Sequence, residues 1–355
     1  MAHDDGNQPT RRVADGITDV PAEQPGGSVG GALGVVRRYR RALYGFTLRV
    51  SALTAVLGCV IVAGGFAATW DTFEAVRDYA DSNIANEDSY VAYADGGMPP
   101  LVRVGAVVSL LLFVLALLVV SVLHTAYAVG DSHARRDGGP LATRELWRRT
   151  RRRFPATLAV NALTGLAVGA IEVTALVFWG LVQSSEVPGV ERPYLHEAAS
   201  PQYTLVGWVL PIAVGCLGPL LYFRLSVATA ESVLEHRSPF VALYRSWRLT
   251  RRARWRTLGL GTLVTVGAVL VFGLARYAAA PLAHPAGLGM LWLSDGNVWI
   301  TGVLVLILPT AVALLLLPPL VMPLVCAVFA RLHGDLRVRE EATVRADASS
   351  SIAHG

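Results

Sequence analysis

Six apolar runs, separated by segments that are alternately crowded with cations and nearly free of them, constrain this chain more than any other feature. A helix needs about 20 mostly apolar residues to cross the hydrocarbon core of a bilayer. Segments 46–68, 101–129, 154–182, 203–230, 257–279 and 298–330 meet that requirement, and 104–123 is free of charge throughout. The fold class expected is therefore all-α: a polytopic membrane protein whose six transmembrane helices form three hairpins. Pro309, Pro318, Pro319 and Pro323 predict a kinked or broken last helix, and Pro211 and Pro219 a bent fourth, because each ring removes a backbone donor.

Arginine placement sets the orientation. Arg37, Arg38, Arg40 and Arg41 precede the first run, and Arg135 through Arg153 crowd the segment between the second and third. Arg237 through Arg256 do the same between the fourth and fifth, and Arg331, Arg337 and Arg339 follow the sixth. The three intervening loops are nearly free of cations: 69–100 has only Arg77, 183–202 only Arg192, and 281–297 none. The alternation predicts both termini in the cytoplasm. Trp70, Trp179, Trp208, Trp292 and Trp299 fall at the expected outer ends, with Trp147, Trp247 and Trp255 at the inner ones, as interfacial belts do.

Composition narrows the class further. Charged residues make up 16% of the chain, against roughly 25% in soluble domains. That argues against a soluble enzyme, a disordered scaffold or a disulfide-stapled module. The formal charge of +5 is not gathered into one soluble patch, so nucleic acid is not an expected partner. Every one of the 31 basic side chains is Arg, which reads as a coding bias rather than 31 choices of guanidinium over ammonium. Cys59, Cys216 and Cys326 stand apart in apolar runs, as packing thiols. Residues 1–34 are polar and rich in Gly and Pro, and are expected as a disordered cytoplasmic tail. Residues 35–335 then form the membrane domain and 336–355 a short cytoplasmic tail.

A shift of 100 residues lays Trp147, Arg148, Thr150, Arg151 and Arg152 onto Trp247, Arg248, Thr250, Arg251 and Arg252. A fainter copy begins at Arg37. The expected unit is one basic interfacial helix followed by two spans, three times over. In the last copy Ser238 is placed as an N-cap and Pro239 at the first helical position. Phe240, Leu243, Tyr244 and Trp247 make one apolar stripe, and Arg245, Arg248 and Arg252 occupy another side. Such a helix lies along the inner surface with its arginines toward headgroups, each contributing about 1 kcal/mol near anionic lipid. Arg148, Arg151, Arg152, Arg245, Arg248 and Arg252 are thus headgroup candidates. Two further readings stand beside that one: the arginines only enforce topology, or they dock a cytoplasmic partner.

The run from Arg224 (Arg-Leu-Ser-Val-Ala-Thr-Ala), then Val233-Leu-Glu, Ser-Pro, Ala242-Leu and Ser246-Trp-Arg-Leu-Thr-Arg, resembles actinobacterial membrane proteins related to the membrane domain of glycerophosphodiester phosphodiesterases. Leu141 through Arg153 and Asp335-Leu-Arg-Val-Arg resemble the same proteins, so the similarity covers about residues 35–341. It implies a six-span helical domain. It does not imply the phosphodiesterase reaction, which in that family belongs to a separate soluble barrel of about 250 residues.

Three polar residues inside the spans stand out as candidates. Glu172 lies in the third, Arg276 near the outer end of the fifth, and Asn161 in the third as expected interhelical glue. A charge at the bilayer centre costs about 2.5–3.5 kcal/mol on insertion scales. Glu172 and Arg276 are expected within roughly 6 Å in depth, which allows an ion pair. Glu172 has three readings: a paired structural residue, a site for a cation, proton or polar substrate, or an outer-interface carboxylate. Glu231 and Glu235 read as salt-bridge partners of nearby arginines. His124, His133, His236 and His333 lack metal-ligand spacing, and no hydrolase, protease or phosphate-loop motif occurs. Neither a cofactor nor a metal is expected. Anionic phospholipid is the expected partner, with another membrane protein or a second copy possible in addition.

Overall fold

Backbone donors have no water to bind in hydrocarbon, so each apolar run closes its hydrogen bonds within itself as helix. The computed structural model describes residues 28–85, 98–136, 139–184, 186–190, 200–235 and 237–353. Among them there is no strand. The helices are α1 (Ser28–Arg38), α2 (Arg40–Ala68), α3 (Trp70–Ala85), α4 (Met98–Arg136), α5 (Thr143–Gln183), α6 (Pro201–Thr204) and α7 (Leu210–Leu225). They continue as α8 (Ala228–Glu235), α9 (Pro239–Arg252), α10 (Arg254–Ala279), α11 (Ala283–Leu293), α12 (Val298–Leu320) and α13 (Met322–Ala353). Six stretches are long and apolar enough to span a membrane, in agreement with the six runs read from the sequence.

Neighbouring helices close a ring in the order α2, α4, α5, α7, α10, α12 and back to α2. Small residues permit the closest approaches. A Cβ on Gly165 would press on Leu117 and Phe113 of α4, and one on Gly261 would overlap Phe223 of α7. The arginine-rich segments all meet at one end of this ring: Asp131 at the end of α4 faces Arg331 of α13, and Tyr39 donates to the Gly139 carbonyl. At the opposite end Asn297 caps α12 through Trp299 N–H and Ile300 N–H and donates to the Phe73 carbonyl of α3. Tyr203 donates there to Gln183, and Trp179 packs edge-on against Trp208.

At the basic end α4 is wrapped in protein rather than open to lipid. Along α4, large apolar side chains are exposed from Val102 to Leu118, whereas Ser121 through Asp131 are almost all buried. The cover comes from α1, α8 and α13. Leu43, Leu123, Tyr127, Leu146 and Cys326 form the largest core there. The lipid-facing belt is therefore shorter than the helices, and is displaced toward the acidic end.

Several elements depart from expectation. Residues 1–27 lie outside the described residues, but 28–34 belong to α1 rather than to a tail, with Ala32 and Val36 buried. Likewise α13 runs through 336–353, and Leu336 is buried. The basic segment of the middle copy is not a separate helix: it is the start of the 41-residue α5. Pro155 does not break it, because the carbonyl it leaves unbonded belongs to Arg151, an exposed residue at the wet end of the helix. In the last copy a turn at Ala253 separates the basic helix from its span, as a turn at Tyr39 does between α1 and α2 in the first. Most of the expected loop 281–297 is helical, as α11, with Pro281 in the first turn of a short 3₁₀ link. The broken sixth helix is present: it divides at Val321, between Pro319 and Pro323. In the fourth span a π turn over Leu205–Val209 immediately precedes Pro211 and widens the helix where the proline ring would otherwise strike a carbonyl.

Candidate functional site

Two sets of polar residues stand out, one at the arginine-rich end and one within the belt. At the basic end the first turns of α5 border an open cleft of about 840 Å³, lined by Ala142, Arg144, Glu145, Trp147, Arg148, Arg151 and Arg152. Glu145, in the first helical turn where the dipole favours an anion, accepts from Arg148 at 2.9 Å and Arg149 at 2.6 Å. Arg144, Arg151 and Arg152 are exposed and have no bonded partner among the described residues. Trp147 is half exposed, with its ring 5.7 Å from that of Phe46. The cleft thus presents four guanidinium groups against one carboxylate, beside an indole placed as an interfacial anchor.

Helix α9 divides its faces more finely than the sequence reading does. Phe240, Tyr244 and Trp247 point outward, while Leu243 packs with Val160, Ala228 and Ala242. Ser246 Oγ and Thr250 Oγ1, both on buried residues, donate at 2.9 and 3.1 Å to the Arg224 carbonyl near the end of α7. The Arg224 guanidinium lies 5.2 Å from the Trp247 ring centroid. Ser238 is extended, as a capping residue should be, but its hydroxyl makes no cap bond.

Two of the six headgroup candidates are turned toward protein. Arg245 Nε is 3.1 Å from Glu231 Oε1, and Arg245 and Arg248 both reach Glu340 on α13, at 3.6 and 3.0 Å. Arg148, Arg151 and Arg152 stand at the cleft; the side chain of Arg252 lies outside the described residues.

The partner that sequence reasoning missed is His333. Its Nε2 is 2.6 Å from Glu231 Oε2, and the two residues are 1% and 2% exposed. Glu231 is therefore no surface salt-bridge residue but the centre of a buried clasp joining α8, α9 and α13. Glu235–Arg337 and Arg256–Asp335 continue the same seam outward. No local signal marks His333, because its partner lies 102 residues earlier in the chain.

Where the belt meets the wrapped end, Asn161 acts as interhelical glue: Nδ2 donates to Ser121 Oγ on α4 at 3.0 Å, and Oδ1 accepts from Thr229 on α8 at 3.1 Å. Glu172 lies midway along the exposed stretch of α5 from Leu166 to Leu181, seated over Gly215 and Gly218 of α7. A Cβ on Gly218 would collide with Glu172 Oε1. Arg276, exposed on α10, donates from Nε to Thr310 Oγ1 on α12 at 3.2 Å. The Glu172–Arg276 pair that their depths allowed is not formed, and α7 stands between the two helices. Among the described residues neither charge has an opposite charge within ion-pair distance.

No protein-family model, curated protein or solved structure matches this chain.

Proposed function

We propose that this is an accessory, non-enzymatic protein of the cytoplasmic membrane, with both termini in the cytoplasm, whose basic end holds anionic phospholipid and organises it around the bundle. The observation that carries the reading is the α5 cleft, where Arg144, Arg148, Arg151 and Arg152 surround an open volume beside Trp147. Guanidinium groups bind phosphate oxygens in pairs, and an indole at the rim sits at headgroup level. The outward Phe240, Tyr244 and Trp247 of α9 supply a second contact with the same interface. The reading agrees with the resemblance to the membrane domain of glycerophosphodiester phosphodiesterases, a domain distinct from the barrel that carries that family's chemistry.

The test is lipid retention. Full-length protein released from mixed phosphatidylglycerol–phosphatidylcholine micelles into native mass spectrometry is expected to keep phosphatidylglycerol preferentially. Substituting Arg144, Arg148, Arg151 and Arg152 by Gln together should remove that preference, and raised salt should weaken it in the parent protein. Equal retention of the two lipids by parent and variant would reject the proposal.

A second reading, a transporter using Glu172, is favoured by one observation: a carboxylate halfway along the lipid-facing stretch of α5, beside the glycines of α7. Uptake of every solute tested, unchanged in vesicles by Glu172→Gln, would remove it.

A further inference from the structure

Arg224 stands where the lipid-facing belt ends. Val182 meets Gly207, Glu172 meets Gly218 and Asn161 meets Thr229, so α5 runs antiparallel to α7 and α8 in a single register. That register sets Arg224 level with Leu166, where the exposed apolar stretch of α5 begins. On α7 itself Leu217 and Leu220 lie two turns and one turn before Arg224, on the same helix face, and both are exposed. A stripe of lipid-facing leucine thus runs down to a guanidinium at the edge of the hydrocarbon. That guanidinium is partly exposed, and its N–H donors have no acceptor among the described residues. The acids nearest along the chain are committed elsewhere, Glu231 to His333 and Arg245, and Glu235 to Arg337. What the fold supplies instead is an aromatic wall. Ser246 and Thr250 of α9 bind the Arg224 carbonyl, and that crossing brings the Trp247 ring centroid to 5.2 Å from the guanidinium carbon. An aromatic face occupies the flat side of a guanidinium and leaves its edge donors free for an oxyanion.

We propose that Arg224 and Trp247 form a binding site for one anionic phospholipid of the cytoplasmic leaflet, its phosphodiester on the edge of the guanidinium and an acyl chain along Leu220 and Leu217. An arginine at this depth extends its head to the interface. The anion already there is the lipid phosphate, just outside the hydrocarbon core, and two of its oxygens match the guanidinium fork. A choline headgroup brings its own cation to the phosphate, so a lipid without one, such as phosphatidylglycerol, is preferred. The site rests on the same anionic-lipid reading as the α5 cleft but occupies a different place, because the cleft arginines lie on the far side of Asn161 from the belt.

The test puts the photoreactive p-benzoylphenylalanine in place of Leu220, one turn from Arg224, in full-length protein reconstituted in vesicles of equal phosphatidylglycerol and phosphatidylcholine. Lipid adducts identified by mass spectrometry are expected to favour phosphatidylglycerol about fivefold, the factor that one guanidinium near anionic lipid supplies. Arg224→Gln should bring the ratio to that of the vesicle, and Arg224→Lys, which keeps the charge, should hold part of it. Trp247→Leu, which removes the wall and leaves the charge, should lower it. Excess inorganic phosphate at constant ionic strength should leave the parent ratio unchanged. A parent ratio equal to the vesicle's, a ratio that neither Arg224→Gln nor Trp247→Leu moves, or its collapse under inorganic phosphate would overturn the proposal. Replacing the four cleft arginines by Gln should leave these adducts as they are, so the cleft and this site fail separately.

Discussion

At the residue scale, the clasp of Glu231, His333 and Arg245 carries the clearest energetic consequence. A buried charge deprived of its partner costs about 3–5 kcal/mol, whereas replacing both partners by apolar groups is often neutral. Glu231→Ala or His333→Ala should therefore lower the thermal midpoint in mild detergent, and Glu231→Leu with His333→Leu and Arg245→Leu should recover most of the loss. Gly218→Val tests the other polar set: the added branch enters the space of the Glu172 carboxylate, so α5 and α7 must part, and the midpoint should fall. Much of this detail was legible as residues and illegible as pairs. Glu172, Arg276 and Asn161 announce themselves because polar groups are rare in apolar runs. Asn161 even carries its expected role, since an amide in a span almost always bridges helices. His333 could not be found, because a histidine after a span looks like any other until the partner 102 residues earlier is folded against it.

Elements were legible where many residues vote together and not where one does. The six crossings follow from hydropathy summed over about 20 residues, which a single proline or charge does not upset. Ends depend on single residues, and there the reading erred. The segment 281–297 was expected as a loop, yet Pro281 and Pro285 each sit in a first helical turn, where a missing N–H is harmless. Pro155 lies within a helix and leaves it whole, while the prolines flanking Val321 divide one. The difference lies in what surrounds the freed carbonyls: exposed arginines in one case, a crowded junction of three prolines in the other. Substituting Pro318, Pro319 and Pro323 by Ala should let α12 and α13 run on as one helix. That would swing His333 away from Glu231, so a gain in local helix propensity should appear as a lower thermal midpoint for the whole protein.

At the scale of the molecule, the partition of charge is the main result. Cations gather at one end of the ring, and the capped turns at Ser200 and Asn297 lie at the other. Ser132 at the end of α4 and Ser184 at the end of α5 should therefore face opposite compartments. Cysteines placed at these positions, in a background without the native ones, should be labelled by an impermeant maleimide from opposite sides of sealed vesicles. Labelling from the same side would dismantle the topology and the proposed function with it. The placement of the belt was not legible from hydropathy, because the apolar residues at 121–131 of α4 serve a protein core as readily as they serve lipid. Only the burial contributed by α1 and α13 separates the two uses.

That cover has a consequence for how the protein is made. Asp131 meets Arg331, and Glu231 meets His333, across long stretches of chain. A ribosome adding about 5–20 residues per second needs roughly 5–20 s to travel the 102 residues between the second pair. Throughout that interval Asp131 has Arg135 and Glu231 has Arg245, but neither has its α13 partner, and the apolar rim of the arginine-rich end lacks its α13 cover. Closure of that end by α13 is expected as the last step of assembly, and a chain interrupted before α13 should be degraded faster in membranes than the full-length protein, as a pulse-chase would show.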